Sequence, residues 1–136
     1  MSESKTFMDY ISDAKRKIKE VDIETADELI TAGVKVLDIR ESHEYINCRI
    51  RDAINIPRGV LEAAADPTFP GSNPALREAQ EDKWLVVCAT GGRSALAANT
   101  LQEMGFTDVK SIAGGLTAWK EAGKEVHSDT DTSFDK

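Results

Sequence analysis

The chain has 136 residues, of which 40% are hydrophobic and 30% are charged. This length and composition predict one compact soluble domain, because the chain is too short to form two independent hydrophobic cores. The 17 Lys and Arg residues and 24 Asp and Glu residues give a net charge of −7, which disfavours binding to nucleic acid or to an anionic membrane surface.

Amphipathic and capping patterns predict the elements in the first half of the chain. Apolar residues recur at helical spacing between Thr6 and Lys19, with basic residues between them, which predicts a helix on the outside of the domain. Thr25 and Glu28 have the spacing of a capping box and Gly33 is a typical helix end, so a second helix is expected here. Strands are then predicted over 34–39 and 53–56, and short helices over 41–47 and 60–65.

The second half is predicted to begin with an irregular segment and to continue with regular elements. Residues 66–74 contain three of the four prolines, which predicts an irregular excursion. Residues 84–87 are the most apolar strand candidate, and such a continuous run predicts a central position covered on both faces. Helices are predicted over 75–79, 94–104 and 116–122, a strand over 109–112, and a fraying polar stretch over 128–133.

This alternation of strands and helices predicts an α/β fold. Right-handed crossovers between parallel strands would place helices on both faces of a parallel sheet. Ligands of such sheets bind outside the carboxyl ends of the strands. The functional site is therefore expected among the residues that follow Ile39, Ile56, Val87 and Ile112.

A glycine-containing loop follows the predicted central strand and opens a helix. Its sequence is Cys88-Ala89-Thr90-Gly91-Gly92-Arg93-Ser94. Adjacent glycines allow the backbone to curl so that successive amide groups point inward, and the helix N-terminus adds the positive end of its dipole. Such a cradle stabilises a thiolate and Arg93 can supply a local cation, so Cys88 is predicted to be a nucleophile. The alternative is that the glycines form only a turn and Cys88 is the last core residue of its strand.

Four segments in this order resemble motifs of the rhodanese-like family. They are Asp38-Ile39-Arg40 with Glu44-Tyr45 after it, Ala53-Ile54-Asn55-Ile56-Pro57, the Cys-x-x-Gly-x-Arg-Ser loop at 88–94, and Gly114-Gly115-Leu116-Thr117-Ala118-Trp119. The resemblance extends from about Ile18 to Gly123. It implies a three-layer rhodanese-like fold with a central parallel sheet of about five strands and helices on both faces. It also implies three regions: an N-terminal amphipathic helix extension at 1–17, the rhodanese-like domain at 18–124 and a polar C-terminal tail at 125–136.

The resemblance implies sulfur transfer by double displacement. The Cys88 thiolate would take the outer sulfur from a small anionic donor, such as thiosulfate or a persulfide, and pass it to cyanide or a thiol acceptor. A protein persulfide is a further candidate donor or acceptor. The inward amides and Arg93 would hold the thiolate, the anionic persulfide and the charge of the departing group. This chemistry implies neither a cofactor nor a metal.

Several neighbouring residues receive supporting roles from the same resemblance. Asp38 and Arg40 would support the strand end near the pocket, and Arg40 is expected to pair with Glu44. Ala89 cannot bind an anion through its methyl group, so thiosulfate turnover is expected to be slow. The donor would then be held by the remaining loop residues, above all Thr90 and Arg93, and by Arg58 from outside the loop. The predicted site residues are Cys88 and Arg93 as catalytic groups, and Ala89, Thr90, Gly91, Gly92, Ser94 and Arg58 for substrate binding.

Two other functions compete with sulfur transfer. Cell-cycle tyrosine phosphatases of the same fold have a loop one residue longer, and the shorter loop here should hold a tetrahedral phosphate poorly, so phosphatase or arsenate-reductase activity is the weaker enzymatic alternative. A non-catalytic module that binds a partner, or senses redox state through Cys88, is the other alternative. The intact Cys88, Gly91, Gly92 and Arg93 favour an enzyme over such a module.

The remaining reactive side chains and the compartment are predicted from simple patterns. Cys48 has no cradle-like surroundings and is expected to be a half-buried or surface thiol, while lone His43 and His127 suggest solvated side chains rather than metal ligands. The longest apolar run is far below the roughly 20 residues that cross a bilayer. The N-terminal residues lack the features of a secretory or transit signal, so a cytoplasmic location is expected, where both cysteines stay reduced.

Overall fold

Five short strands form one parallel sheet in a computed structural model that describes residues 4–129. The strands are β1 (Lys19–Val21), β2 (Lys35–Asp38), β3 (Ile54–Asn55), β4 (Lys83–Val87) and β5 (Asp108–Ile112). Their order across the sheet is β1-β5-β4-β2-β3, and every neighbouring pair is parallel. The predicted α/β class and five-stranded parallel sheet are therefore confirmed.

Helices cover both faces of this sheet. They are α1 (Phe7–Lys15), α2 (Ile23–Thr31), α3 (Ser42–Asn47), α4 (Leu61–Ala65), α5 (Pro74–Arg77), α6 (Gly92–Glu103) and α7 (Gly115–Glu121), with a single 3-10 turn at Arg58–Val60. One hydrophobic cluster joins the sheet to α4, α5 and α6, and a second joins it to α2, α3 and α7. The two clusters form the core on opposite faces of the sheet.

The central strand β4 separates the two clusters. Trp84 and Val86 pack in the first cluster and Leu85 and Val87 in the second, and all four side chains are buried. This alternation explains the continuous apolar run, because a strand with helices on both faces has no solvent-facing side. The predicted central position of this strand is confirmed.

The sequence-based interpretation missed β1 and misplaced one helix cap. The predicted N-terminal helix to Lys19 ends at Lys15, and Lys19 begins β1, an edge strand without buried residues. A strand is predicted from alternating apolar and polar residues, and the three residues of β1 are too few to show such an alternation. Helix α2 begins two residues before Thr25, since the side chain of Asp22 accepts a hydrogen bond from the Thr25 amide at 2.8 Å.

Both ends of the described chain pack against the domain. Helix α1 lies on α6, with Ile11 and Ala14 buried, as expected for a helix on the outside of the domain. At the other end, Arg49 and His127 exchange backbone hydrogen bonds, and the amide of Asp129 donates to the Ile46 carbonyl. Residues 130–133 of the stretch predicted to fray lie outside the described residues, and the proposed boundaries of the three regions stay predictions. Within residues 4–129, no helix has the length and apolar content to cross a membrane.

Candidate active site

Cys88 is buried directly after β4, at the N-terminus of α6. The amide of Gly91 donates a hydrogen bond to Cys88 Sγ at 3.1 Å, and the amide of Ser94 donates another at 3.3 Å. Both amides belong to the loop and the first turn of α6, where backbone N–H groups have no helical partner. The predicted inward cradle is therefore formed by the Gly91 and Ser94 amides.

Two buried hydroxyl groups extend this cradle. Ser94 Oγ lies 3.5 Å from Cys88 Sγ and 2.8 Å from Ser111 Oγ. Ser111 lies on β5, where its register partner is Val86 of β4, so the sheet itself places this second hydroxyl beneath the loop. With a Cys88 thiolate, Ser94 can donate to sulfur while Ser111 donates to Ser94. Sequence reasoning missed Ser111, because only strand register brings it to the site.

The N-terminal turn of α7 determines how the loop bends. The Leu116 amide donates to the Cys88 carbonyl at 2.8 Å, and the Thr117 amide donates to the Ala89 carbonyl at 3.0 Å. With these two carbonyl groups bonded to α7, the following amides are free to point at sulfur. Gly91 takes a left-handed backbone conformation with φ of 105°, which lets the chain turn from the loop into α6.

Gly115 permits this close approach. A Cβ at this position would lie 2.5 Å from the Cys88 carbonyl oxygen and 2.7 Å from the carbonyl carbon and oxygen of Ala89. Its φ of 60° is also one that side chains rarely adopt. The paired glycines Gly114-Gly115 are the sequence feature that could have indicated this close approach, although neither residue was among the predicted site residues.

Arg93 pairs with Glu44 of α3. Its guanidinium nitrogens lie 3.0 and 3.1 Å from the two carboxylate oxygens of Glu44, a bidentate pair in which both groups are partly buried. The hydrogen bond from Arg93 lowers the pKa of Glu44, and the same pair raises the pKa of Arg93. Arg93 is thus a charged group of the site that already has a carboxylate partner.

The expected pairing of Arg40 with Glu44 is wrong. Arg40 instead turns back two residues to the buried Asp38, with Nε–Oδ1 and Nη2–Oδ2 distances of 3.0 and 2.7 Å, and it also donates to the Cys48 carbonyl. A carboxylate buried at the end of β2 requires a cation at contact distance, and Arg40 is the adjacent one. Glu44 is left to Arg93.

A pocket of about 280 Å³ opens beside the thiol. Cys88, Thr90, Gly92 and Arg93 form its loop side, while Ala89 is partly buried and does not line the pocket. The other wall is α1, whose contribution the sequence analysis did not foresee. A larger cavity, of about 740 Å³, lies at the opposite end of the sheet around Lys35, and no cysteine lines it.

Other predicted residues lie away from this pocket. Arg58 contacts Glu62 and, on α6, Thr100, at 3.0 and 3.1 Å, and it does not line the pocket. Cys48 is a partly buried free thiol at the end of α3, as expected, and Cys88 is also free. His43 is exposed. Within residues 4–129, no three His, Cys, Asp or Glu side chains are grouped to hold a metal ion.

Comparison with known proteins identifies the family. A family model described as a rhodanese-like domain matches residues 22–122. The chain belongs to the rhodanese-like family. This rhodanese-like chain is 34% identical over 116 residues to thiosulfate sulfurtransferase 16, chloroplastic, of Arabidopsis thaliana, covering 83% of this chain and 96% of the relative. The resemblance seen in the sequence motifs is confirmed.

Two solved structures extend the comparison to the fold. A Rhodopseudomonas palustris protein of unknown function, described as a possible tyrosine phosphatase, superposes with a TM-score of 0.85 at 32% identity, covering 93% of this chain and 98% of that one. The human single-domain sulfurtransferase TSTD1 gives a TM-score of 0.65 at 26% identity, covering 75% of this chain and 95% of that one. The three-layer rhodanese-like fold is thus shared with proteins of about the same size.

Gly115→Ala tests the dependence of the loop on α7. We expect it to lower the free energy of unfolding by about 3 kcal/mol or more, because a Cβ there strains the backbone and collides with two carbonyl groups. Gly123→Ala is the matched control, since Gly123 also has a positive φ of 77° but no atom within 4 Å of an added Cβ. It should cost only about 1 kcal/mol. Equal losses in chemical denaturation would contradict the proposed packing.

The Arg93–Glu44 pair predicts a pH-dependent stability term. Glu44 has a lowered pKa in the folded state, so the term is fully present above its ordinary value of 4.5 and is lost as the pH falls through the lowered value. We expect Glu44→Gln to be less stable than the parent by about 0.5–1 kcal/mol at neutral pH, because the pair is partly exposed. The difference should vanish in acid. Unfolding curves across this range would measure it, with the exposed Glu81→Gln as control, and a difference that is independent of pH would contradict it.

Proposed function

We propose that this rhodanese-like protein is a sulfurtransferase in which Cys88 carries the transferred sulfur as a persulfide. The observation that carries the proposal is the set of donors around Cys88 Sγ, which comprises the Gly91 amide at 3.1 Å and the Ser94 amide at 3.3 Å. A buried sulfur surrounded by N–H donors is prepared for negative charge. The sulfurtransferase names of the Arabidopsis and human relatives support the same reaction class.

The reaction proceeds in two displacements at sulfur. The Cys88 thiolate attacks the outer sulfur of the donor, forming a new S–S bond while the donor's own bond to that sulfur breaks. The bonding pair leaves with the donor group, which is sulfite when the donor is thiosulfate. Cyanide or a thiolate then attacks the outer sulfur of the persulfide and regenerates the Cys88 thiolate. Charge balances in both steps, so no oxidant, reductant or cofactor takes part.

The loop residues have distinct roles in this proposal. The Gly91 and Ser94 amides stabilise the thiolate, and the Ser94 hydroxyl, supported by Ser111, adds a third donor at 3.5 Å from sulfur. Arg93 provides positive charge at the pocket, and its ion pair with Glu44 partly neutralises that charge. Asp38 and Arg40 hold the end of β2 beside β4 and act on the site only by positioning. Arg58 is left out of the proposed site because its described contacts are with Glu62 and Thr100.

For the donor and the acceptor of the sulfur atom, we propose chemical classes. The donor is thiosulfate or a persulfide, including a protein persulfide, and the acceptor is cyanide or a thiol. The cytoplasmic location expected from the sequence also stays a prediction, and the Arabidopsis relative is named as chloroplastic.

Cys88→Ser tests the nucleophile. A serine hydroxyl is barely ionised at neutral pH and cannot hold a persulfide, so we expect no sulfur transfer from thiosulfate to cyanide and no gain of a sulfur atom in the intact mass. Cys48→Ser is the control and should keep both. Persulfide on Cys88→Ser would move the nucleophile to Cys48, and a parent protein that gains no sulfur from any donor would favour the non-catalytic module.

A phosphatase is the second candidate, because of the description of the Rhodopseudomonas palustris structure. Only four residues separate Cys88 from Arg93, and two loop amides already point at the single sulfur atom. We expect hydrolysis of a small aryl phosphate by the parent protein to be slower than sulfur transfer to cyanide by about 100-fold or more, since the cradle is too small for a phosphate group. Faster hydrolysis than sulfur transfer in parallel assays would replace the sulfurtransferase proposal.

A further inference from the structure

Helix α1 forms one wall of the Cys88 pocket, although it lies outside the residues that match the family model. Phe7, Met8 and Ile11 line the pocket opposite the loop. The contact with the loop is direct, because a Cβ on Gly92 would lie 2.7 Å from Ile11 Cδ1. The pocket is therefore made of two parts, the catalytic loop and this helix.

Helix α1 is held in a defined position. Its first turn has a capping box, in which Thr6 and Asp9 exchange side-chain-to-backbone hydrogen bonds of 2.9 and 3.1 Å. Ile11 is only 5% exposed, and Ile11 and Ala14 anchor the helix on the domain. Past its C-terminus, Gln102 of α6 donates to the Lys17 carbonyl at 2.9 Å. The wall is thus part of the packed structure.

Two large apolar side chains of this wall are left facing solvent at the pocket. Phe7 is 60% exposed and Met8 is 63% exposed. Large apolar groups exposed beside a reactive residue commonly mark the place where an apolar part of a ligand is covered. Phe7 and Met8 are therefore available to a substrate without any change in the core.

The charges of the pocket are already balanced. Arg93 is paired with Glu44, and the only other cation that lines the pocket, within residues 4–129, is Lys15, whose Nζ lies 3.5 Å from Glu20. Little positive charge is left uncompensated for a dianion such as thiosulfate. Thr90 adds one hydroxyl, and Ala89 adds no polar group to the loop.

We propose that the pocket selects a sulfur donor in which the transferable sulfur is bonded to a second sulfur atom that carries an apolar organic group. The apolar group lies on Phe7 and Met8, and the terminal sulfur meets Cys88. An apolar cavity of about 150 Å³ can hold a benzene ring, and this pocket is larger, at about 280 Å³. The inference rests on the proposed sulfurtransferase function and specifies its substrate class.

An organic thiosulfonate shows how such a donor reacts. The Cys88 thiolate attacks its terminal sulfur, the S–S bond of the thiosulfonate breaks, and the bonding pair leaves with the organic sulfinate. One anionic thiolate and one anionic donor give one anionic persulfide and one anionic sulfinate, so atoms and charge balance. Cyanide then removes the sulfur as thiocyanate.

The test compares two thiosulfonates that differ only in their apolar group with thiosulfate, which has no apolar group and carries a second negative charge. Sulfur transfer to cyanide is measured as kcat/KM with benzenethiosulfonate, methanethiosulfonate and thiosulfate. The parent protein is compared with Phe7→Ala, Met8→Ala and the control Tyr10→Ala, since Tyr10 is an exposed aromatic residue of the same helix that does not line the pocket. We expect the parent to prefer benzenethiosulfonate over both other donors by about ten-fold.

The variants should change this preference in a defined way. Phe7→Ala and Met8→Ala should each lower the benzene-to-methane kcat/KM ratio by about five-fold, since each removes apolar contact with the ring alone. Tyr10→Ala should keep the ratio of the parent. An unchanged ratio in both Phe7→Ala and Met8→Ala, or a parent that prefers thiosulfate, would overturn the proposal while leaving sulfur transfer intact. If the parent gains no sulfur from any of the three donors, this substrate class is wrong, and if it also gains none from a persulfide donor, the proposed function is wrong as well.

Discussion

The candidate site depends on two hydrogen bonds from the first turn of α7 to the Cys88 loop. The Leu116 and Thr117 amides donate to the carbonyl groups of Cys88 and Ala89, and this holds the start of the loop from which the Gly91 amide reaches sulfur. The approach is possible only because Gly115 has no side chain. The geometry of the candidate site is thus determined by backbone groups from two distant parts of the chain. It does not depend on the loop side chains alone.

The sheet supplies the second constraint. Parallel pairing of β4 with β5 puts Ser111 opposite Val86, and from there its hydroxyl reaches Ser94, which contacts the sulfur of Cys88. Pairing of β4 with β2 puts Asp38 opposite Val87, where Arg40 neutralises it. The end of the central strand is therefore surrounded by satisfied polar groups, as buried polar groups require.

The electrostatics and the shape of the pocket support the same proposed substrate class. Arg93 would be the natural anion site, but its bidentate pair with Glu44 leaves the backbone amides as the main stabilising groups for negative sulfur. These amides act on a single atom and distinguish poorly between donors. In the proposed reaction, selectivity must then come from the rest of the donor, and the pocket surface available to it is the apolar side of α1, with Phe7 and Met8.

The sequence by itself determined the α/β class, the central position of β4 and the place of the Cys88 loop between that strand and a helix, because strand composition, helix spacing and adjacent glycines are local patterns. It did not reveal β1, a three-residue edge strand without buried residues. Only the tertiary structure decided that Glu44 pairs with Arg93 instead of Arg40, that Ser111 lies beneath the loop and that α1 closes the pocket. These are contacts between residues far apart in the chain, chosen by strand register and helix packing, and no local spacing encodes them.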